Sequence, residues 1–176
     1  MLLAAAISGA ATGAYLVGAF DDPPGKTVVG GLVGGTLGVE AMKWAMGVTR
    51  RTGDLYAVPI PVGIAIGRIG CFLTGLADHT HGVETSLPWG YDYGDGLKRH
   101  PTQLYEIVFC LMLAWFLRQG RVWMVEGDRY RFMLAAYLVF RFGLDFLKPG
   151  ESWAVQLACV FGIVMYSRDV ARWVRR

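Results

Sequence analysis

Charge is the first thing this chain is short of. Asp, Glu, Lys and Arg make up 18% of its 176 residues, against 54% hydrophobic ones. A soluble domain of this length carries about 25% charge, so the shortage excludes an attached soluble domain. Uncharged apolar runs recur at roughly the 20 residues that a bilayer's hydrocarbon core requires. Cysteine is scarcer still. Cys71, Cys110 and Cys159 lie far apart, each in an apolar run, which excludes a disulfide framework and a zinc spacing and leaves them as small packing residues. The paired cysteines of a thiol oxidoreductase are missing too. No basic leader precedes the apolar run that opens at Leu2, and no polar break interrupts it before Asp21; both argue against a cleaved signal peptide. The basic residues cluster in short loops and the tail with no aromatic-plus-basic groove pattern, so the net charge of +3 does not read as a nucleic-acid surface. Neither a metal nor a cofactor is called for.

What remains is an all-α, polytopic membrane helix bundle, a single integral membrane domain over residues 1–176 with about six transmembrane helices. The first runs from about Leu2 to Phe20 and is broken by Asp21-Asp22-Pro23-Pro24-Gly25, since two prolines cannot continue a helix. The second covers about Lys26 to Gly47. Its Gly30-Gly31, Gly34-Gly35 and Gly38 fall at helical spacing, giving a face open to a neighbouring backbone or to a lipid chain. After the basic turn Arg50-Arg51, the third helix spans about Leu55 to Gly75. A polar segment, Leu76 to Pro101, holds all three histidines (His79, His81 and His100) with Trp89, Tyr91 and Tyr93, rings suited to a membrane interface. Its aromatics predict an ordered cap between helices three and four. The fourth helix is about Thr102 to Leu117, the fifth about Phe132 to Leu147 and the sixth about Trp153 to Ser167.

Lysine and arginine set the orientation. The loops after helices two and four and the tail hold Arg50, Arg51, Arg118, Arg121, Arg129, Arg131, Arg168, Arg172, Arg175 and Arg176; the opposite loops hold only Lys26, Lys98, Arg99 and Lys148. Six crossings with both termini in the cytoplasm satisfy the positive-inside rule at every loop, and residues 76–101 become a periplasmic cap.

The unusual residues then fall on the outer side. Arg68 sits inside an apolar run, where an unmet charge costs about 2.5–3.5 kcal/mol on insertion scales; it either snorkels to the surface or meets an anion. Lys26 opens helix two, His100, Gln103 and Glu106 open helix four, and Arg141 and Asp145 share a face of helix five. Arg141 and Asp145 can satisfy each other, or Arg141 can join Arg68 and Lys26 around an anion whose oxygens match the guanidinium fork. A phospholipid head group is the natural anion at that depth. Glu40 and Lys43, three residues apart on helix two, read as a local ion pair.

Four stretches resemble motifs of the prolipoprotein diacylglyceryl transferase family. They are Val29-Gly30-Gly31-Leu32-Val33-Gly34-Gly35, Gly67-Arg68-Ile69-Gly70-Cys71-Phe72-Leu73-Thr74-Gly75, Arg99-His100-Pro101-Thr102-Gln103-Leu104-Tyr105-Glu106 and Phe140-Arg141-Phe142-Gly143-Leu144-Asp145-Phe146. The resemblance implies a multi-pass enzyme of the bacterial inner membrane. It would move the diacylglyceryl group of phosphatidylglycerol to the lipobox cysteine of a prolipoprotein signal peptide, releasing glycerol phosphate. It also implies that Gly30, Gly31, Cys71, Gly75, Gln103, Tyr105, Glu106 and Asp145, with Lys26, bind substrate. Four features depart from the family pattern. Val29 stands where the family commonly has a histidine, Cys71 where it often has Asn, and Asp145 where it has Glu. Leu76-Ala77-Asp78-His79-Thr80-His81-Gly82 replaces a short acidic-aromatic stretch.

On that reading Arg68 and Arg141 hold the departing phosphate. A thiol of pKa about 8.5 needs a proton acceptor, and His100 is the candidate, with His79 or His81 as substitutes for the missing histidine; His100 can equally orient or cap helix four. Cys71 as a covalent relay is disfavoured, because a thiol in an apolar helix is inert. Two other functions fit the same residues: a non-catalytic phospholipid- or anion-binding membrane protein or transporter, and a family member that modifies a different acceptor.

Overall fold

A computed structural model of the chain describes residues 1–20, 25–119, 127–150 and 152–166. The break expected at Asp21–Pro24 and the four tail arginines lie outside the described residues, as does Arg121. Six α-helices follow in order: α1 (Leu2–Gly18), α2 (Val28–Ala45), α3 (Pro59–Thr74), α4 (Thr102–Arg118), α5 (Asp128–Asp145) and α6 (Trp153–Met165). The only described strands are the two-residue β1 (Tyr91–Asp92) and β2 (Lys98–Arg99), so the chain is all-α in class. The helical stretch Asp54–Asp78, 25 residues containing α3, is long and apolar enough to cross a membrane; Leu2–Gly18 and Trp153–Met165 are shorter apolar helices.

The chain divides into two compact units. The first holds Met1–Thr52, Leu134–Phe142 and the described part of Ser152–Arg176. Within it α1 and α2 pack backbone to backbone. A Cβ added at Gly34 would collide with the Gly9 carbonyl, one at Gly30 with the Gly13 carbonyl, and one at Gly38 with the Ala5 carbonyl. The glycine face of α2 is therefore taken up by α1, the small-residue packing that membrane helices use. Thr27 caps α2, accepting from the Gly30 amide at 3.0 Å, and Ser152 caps α6 through the Val155 amide at 3.3 Å. Lys43 Nζ lies 3.0 Å from Glu40 Oε1, the local pair that their spacing predicts.

The second unit holds Gly53–Met133 and Gly143–Glu151, Glu151 itself lying outside the described residues. Here α3 starts later than the apolar run does. A 3-10 turn at Asp54–Tyr56 comes first, and Pro59 and Pro61 then occupy the first turn of α3, where a missing N–H leaves nothing unpaired. Helix α5 starts four residues earlier than the expected Phe132. Asp54 supplies the reason: its Oδ2 accepts from the Gly127 amide at 2.6 Å and its Oδ1 from the Tyr130 amide at 3.1 Å, satisfying open N–H groups of the first turn. Arg129 and Arg131, assigned to a loop by their charge, thus belong to that turn.

The segment between α3 and α4 is ordered. A 3-10 turn (Gly75–Asp78) leads into an antiparallel pairing of Tyr91 with Arg99 and Asp92 with Lys98. Asp92 Oδ1 closes the intervening loop by accepting from the Gly94 and Gly96 amides at 2.8 and 3.0 Å. The Gly82 amide donates to the His100 carbonyl, and the Val83 amide to the Leu147 carbonyl at 2.7 Å. The polar segment is thereby stitched to the start of α4 and to the residues just past α5.

Candidate functional site

Two buried stripes set the site. On α3 the buried residues are Pro61 and Ala65, and Arg68 follows at the next helical repeat of the same face. Ile66, Ile69 and Leu73 lie on the exposed side. On α4 the buried residues include Gln103, Glu106, Cys110, Leu113 and Leu117, again one face. Packing α3 on α4 brings the two charges on these stripes together. Arg68 Nε lies 2.8 Å from Glu106 Oε2, with side chains 11% and 2% exposed; the approach is a charge contact by distance, not an aligned hydrogen bond. The anion that Arg68 was expected to need is thus met within the chain by Glu106. Desolvating two charges costs several kcal/mol per ion, and mutual attraction offsets this only when they are close. The Arg68 Nη1 also lies 3.8 Å from Cys71 Sγ, one turn on.

Gly75 ends α3 with φ +70° and ψ −135°, a backbone state that glycine adopts readily and other residues do not. The chain can then turn back over the start of α4. Thr80 meets that helix twice: its carbonyl accepts from the Thr102 hydroxyl, and its Oγ1 accepts from Gln103 Nε2 at 3.1 Å. Its own hydroxyl donates to Asp78 Oδ2 at 2.6 Å. Tyr93 donates to Gln103 Oε1 at 2.8 Å, and burial pushes its phenol above the usual range.

A second set holds His100. Trp89 Nε1 donates to the Tyr105 hydroxyl at 3.0 Å, and that hydroxyl lies 3.1 Å from His100 Nδ1. His81 is nearby in the cap, with Nδ1 3.1 Å from the Gly82 carbonyl and its ring 5.9 Å from Tyr93. His79 is exposed and left-handed, at φ +53°. Farther out, Arg99 Nη1 pairs with Asp95 at 2.7 Å, which holds the Asp95 carboxyl below its ordinary range.

Of the residues singled out from sequence, Arg68, Cys71, Gly75, His100, Gln103, Tyr105 and Glu106 thus fall in the second unit around α3, α4 and the cap. Lys26, Gly30, Gly31 and Arg141 belong to the first unit. Lys26 Nζ lies 4.8 Å from the centre of the Tyr15 ring, and the Tyr15 side chain beside it raises its pKa. Gly30 and Gly31 both look onto α1. Arg141 and Asp145 are buried one turn apart on α5. Among the described residues, no group of three or more His, Cys, Asp or Glu side chains is placed to hold a metal ion. Sequence reasoning missed Thr80, Trp89 and Tyr93 as partners of the α4 motif. Their only signal was polar and aromatic residues within an otherwise loop-like segment.

An apolar helix long enough to cross a membrane, its guanidinium buried against a carboxylate beneath a hydrogen-bonded polar cap, defines the class: an all-α chain with a charged site on its apolar helices. A family model described as prolipoprotein diacylglyceryl transferase matches residues 15–174, and the chain belongs to that family. It is 35% identical over 138 residues to a phosphatidylglycerol–prolipoprotein diacylglyceryl transferase of Cupriavidus necator, covering 71% of this chain and 48% of that protein. Likeness to a transferase of the same name from Vibrio vulnificus is 36% over 131 residues, 68% of this chain and 46% of the other. With one from Methylococcus capsulatus it is 29% over 170 residues, 84% and 63%. The chain spans about half the length of the first two of these relatives. No solved structure matches it.

Proposed function

We propose that the chain transfers the diacylglyceryl group of phosphatidylglycerol to the cysteine thiol of a prolipoprotein signal peptide. In this reading it works in the bacterial inner membrane with six crossings, both termini in the cytoplasm and residues 76–101 as a periplasmic cap. The observation that carries the reading is the Arg68–Glu106 pair, buried between α3 and α4 beneath the cap in a chain of this family.

The sulfur attacks the glycerol carbon that bears the phosphate ester. A C–S bond forms as the C–O bond breaks, and glycerol phosphate departs with the electron pair. Glu106 engages the Nε side of the Arg68 guanidinium, and the terminal nitrogens meet the phosphate as its charge grows, the stage at which such contacts accelerate a reaction. Arg141 and Lys26 are the further cations that the family resemblance assigns to the substrate. His100 takes the thiol proton: with Nδ1–H donating to the Tyr105 oxygen, whose second lone pair remains beside the Trp89 bond, Nε2 carries the accepting pair. Gln103, Tyr105 and Asp145 shape the same site.

One observation favours a second reading, phospholipid binding without transfer. Val29, at the place where the resemblance puts a histidine, is an apolar residue buried in α2. Incubating membranes that contain the protein with labelled phosphatidylglycerol and a lipobox peptide separates the two. Thioether-linked labelled peptide supports transfer; retained lipid with unmodified peptide supports binding alone. A family member with another acceptor would label that acceptor and leave the lipobox peptide bare. Complementation of a strain depleted of the transferase tests the acceptor in cells.

A further inference from the structure

The relay from Tyr93 through Gln103 and Thr80 to Asp78 donates in one sense only. An ionised carboxylate accepts and never donates, so the Thr80 hydroxyl hydrogen goes to Asp78 Oδ2. The Thr80 oxygen then has only lone pairs to offer Gln103, and the contact there must come from the Nε2 amide. That places Gln103 Oε1 on the far side, where the Tyr93 hydroxyl donates to it. Turning the amide over would set Oε1 against an oxygen that has no hydrogen left. Gln103 is 1% exposed, so solvent cannot make good a wrong orientation, and a buried unmade bond costs more than a made one contributes. Gln103 and Glu106 stand three residues apart on the buried stripe of α4, and Glu106 meets Arg68.

We propose that Asp78, a carboxylate with no part in the transfer chemistry above, is a positioning residue: acting through Thr80, it fixes the amide orientation of Gln103 and, with it, the turn of α4 that carries Glu106 to Arg68. The kinetic consequence rests on the transferase reading; the geometric one does not. Asp78 lies at the end of the 3-10 turn that follows α3, so a single carboxylate links the end of the helix that bears Arg68 to the start of the helix that bears its partner.

The test uses the full chain in detergent with Asp78→Ala, Thr80→Val, Thr80→Ser and Tyr93→Phe. Valine matches threonine in shape and lacks the hydroxyl, whereas serine keeps it. Transfer from phosphatidylglycerol to a lipobox peptide is measured beside amide hydrogen exchange over residues 102–106. Asp78→Ala, Thr80→Val and Tyr93→Phe should lower kcat about tenfold or more while KM stays within about twofold, the pattern of misaligned catalytic groups. Thr80→Ser should restore the rate. Exchange over 102–106 should quicken in the first three variants and stay at the wild-type level in Thr80→Ser. Equal behaviour of Thr80→Val and Thr80→Ser, in rate or in exchange, overturns the assignment. A wild-type chain that transfers nothing refutes the transferase reading instead, and exchange alone then decides: faster exchange in the three variants sustains the relay, and uniform exchange overturns it.

Discussion

Glu106 Oε2 lies 2.8 Å from Arg68 Nε, and this contact gives the charge carried by apolar α3 a counter-charge on α4. Removing one member takes the close counter-charge from the other, a loss of about 3–5 kcal/mol for a buried pair. Glu106→Gln should therefore lower the stability of the detergent-solubilised protein by roughly 3 kcal/mol. The double variant Arg68→Met/Glu106→Leu should be more stable than either single one, because no charge is left behind. Denaturant unfolding of the wild type, Arg68→Met, Glu106→Leu and the double variant measures the coupling, and additive losses would show that the pair does not hold α3 to α4.

For the chemistry, Arg68→Ala and Arg141→Ala should each abolish lipid transfer while the protein still inserts and accumulates. Arg68→Lys keeps the charge but not the planar fork, and its transfer should fall by about 10²-fold, the scale set by losing one oxyanion contact. Membranes that retain full transfer with either alanine variant would remove the phosphate clamp from consideration.

Two glycines on different helices should respond oppositely to the same change. Gly34→Ala drives a Cβ against the Gly9 carbonyl and should destabilise by about 1–3 kcal/mol through overpacking. Gly63, in α3, has nothing within 4 Å of an added Cβ. Gly63→Ala should instead be neutral or stabilise by roughly 0.5–1 kcal/mol, the helix preference for alanine. Thermal unfolding of the two variants side by side reads the difference.

Asp54 should behave as a cap supplied from outside its helix. Asp54→Ala leaves the Gly127 and Tyr130 amides without their acceptor, and should reduce stability by about 1 kcal/mol. Hydrogen exchange at Gly127 and Tyr130 should rise. Asp54→Asn, which keeps one carbonyl acceptor, should fall between wild type and alanine.

The Asp95–Arg99 pair predicts a pH dependence of the cap hairpin. Because Arg99 holds the Asp95 carboxyl below its ordinary range, the folded state binds that proton less readily than the unfolded state does. The stabilisation is complete above the unfolded carboxylate value of about 3.9 and is lost as the pH falls through the lower folded value. Carbon NMR titration of the Asp95 carboxyl should place its midpoint below that of a free aspartate, and Arg99→Gln should restore the ordinary value.

Much of the architecture was legible because it is local. Six apolar runs punctuated by proline and glycine correspond to six helices, and Glu40 and Lys43 pair at the spacing that helix geometry demands. The family was legible from short motifs, Arg99 to Glu106 above all. The rest depends on partners far apart in sequence. Nothing local tells Arg68 that its counter-ion stands in the α4 motif, or Gln103 that its amide is held by Thr80 and Tyr93. Helix α5 started earlier than its hydropathy suggests for the same reason: the carboxylate that opens it comes from Asp54, before α3.

Cys110 and Cys159 are fully buried, whereas Cys71 is not. The chain thus carries a natural reporter position beside Arg68. A small thiol-reactive spin label or fluorophore, offered in excess to the unaltered protein, should attach there in preference to the two buried thiols, and its mobility would register whether the surroundings of the guanidinium change when phosphatidylglycerol vesicles are added.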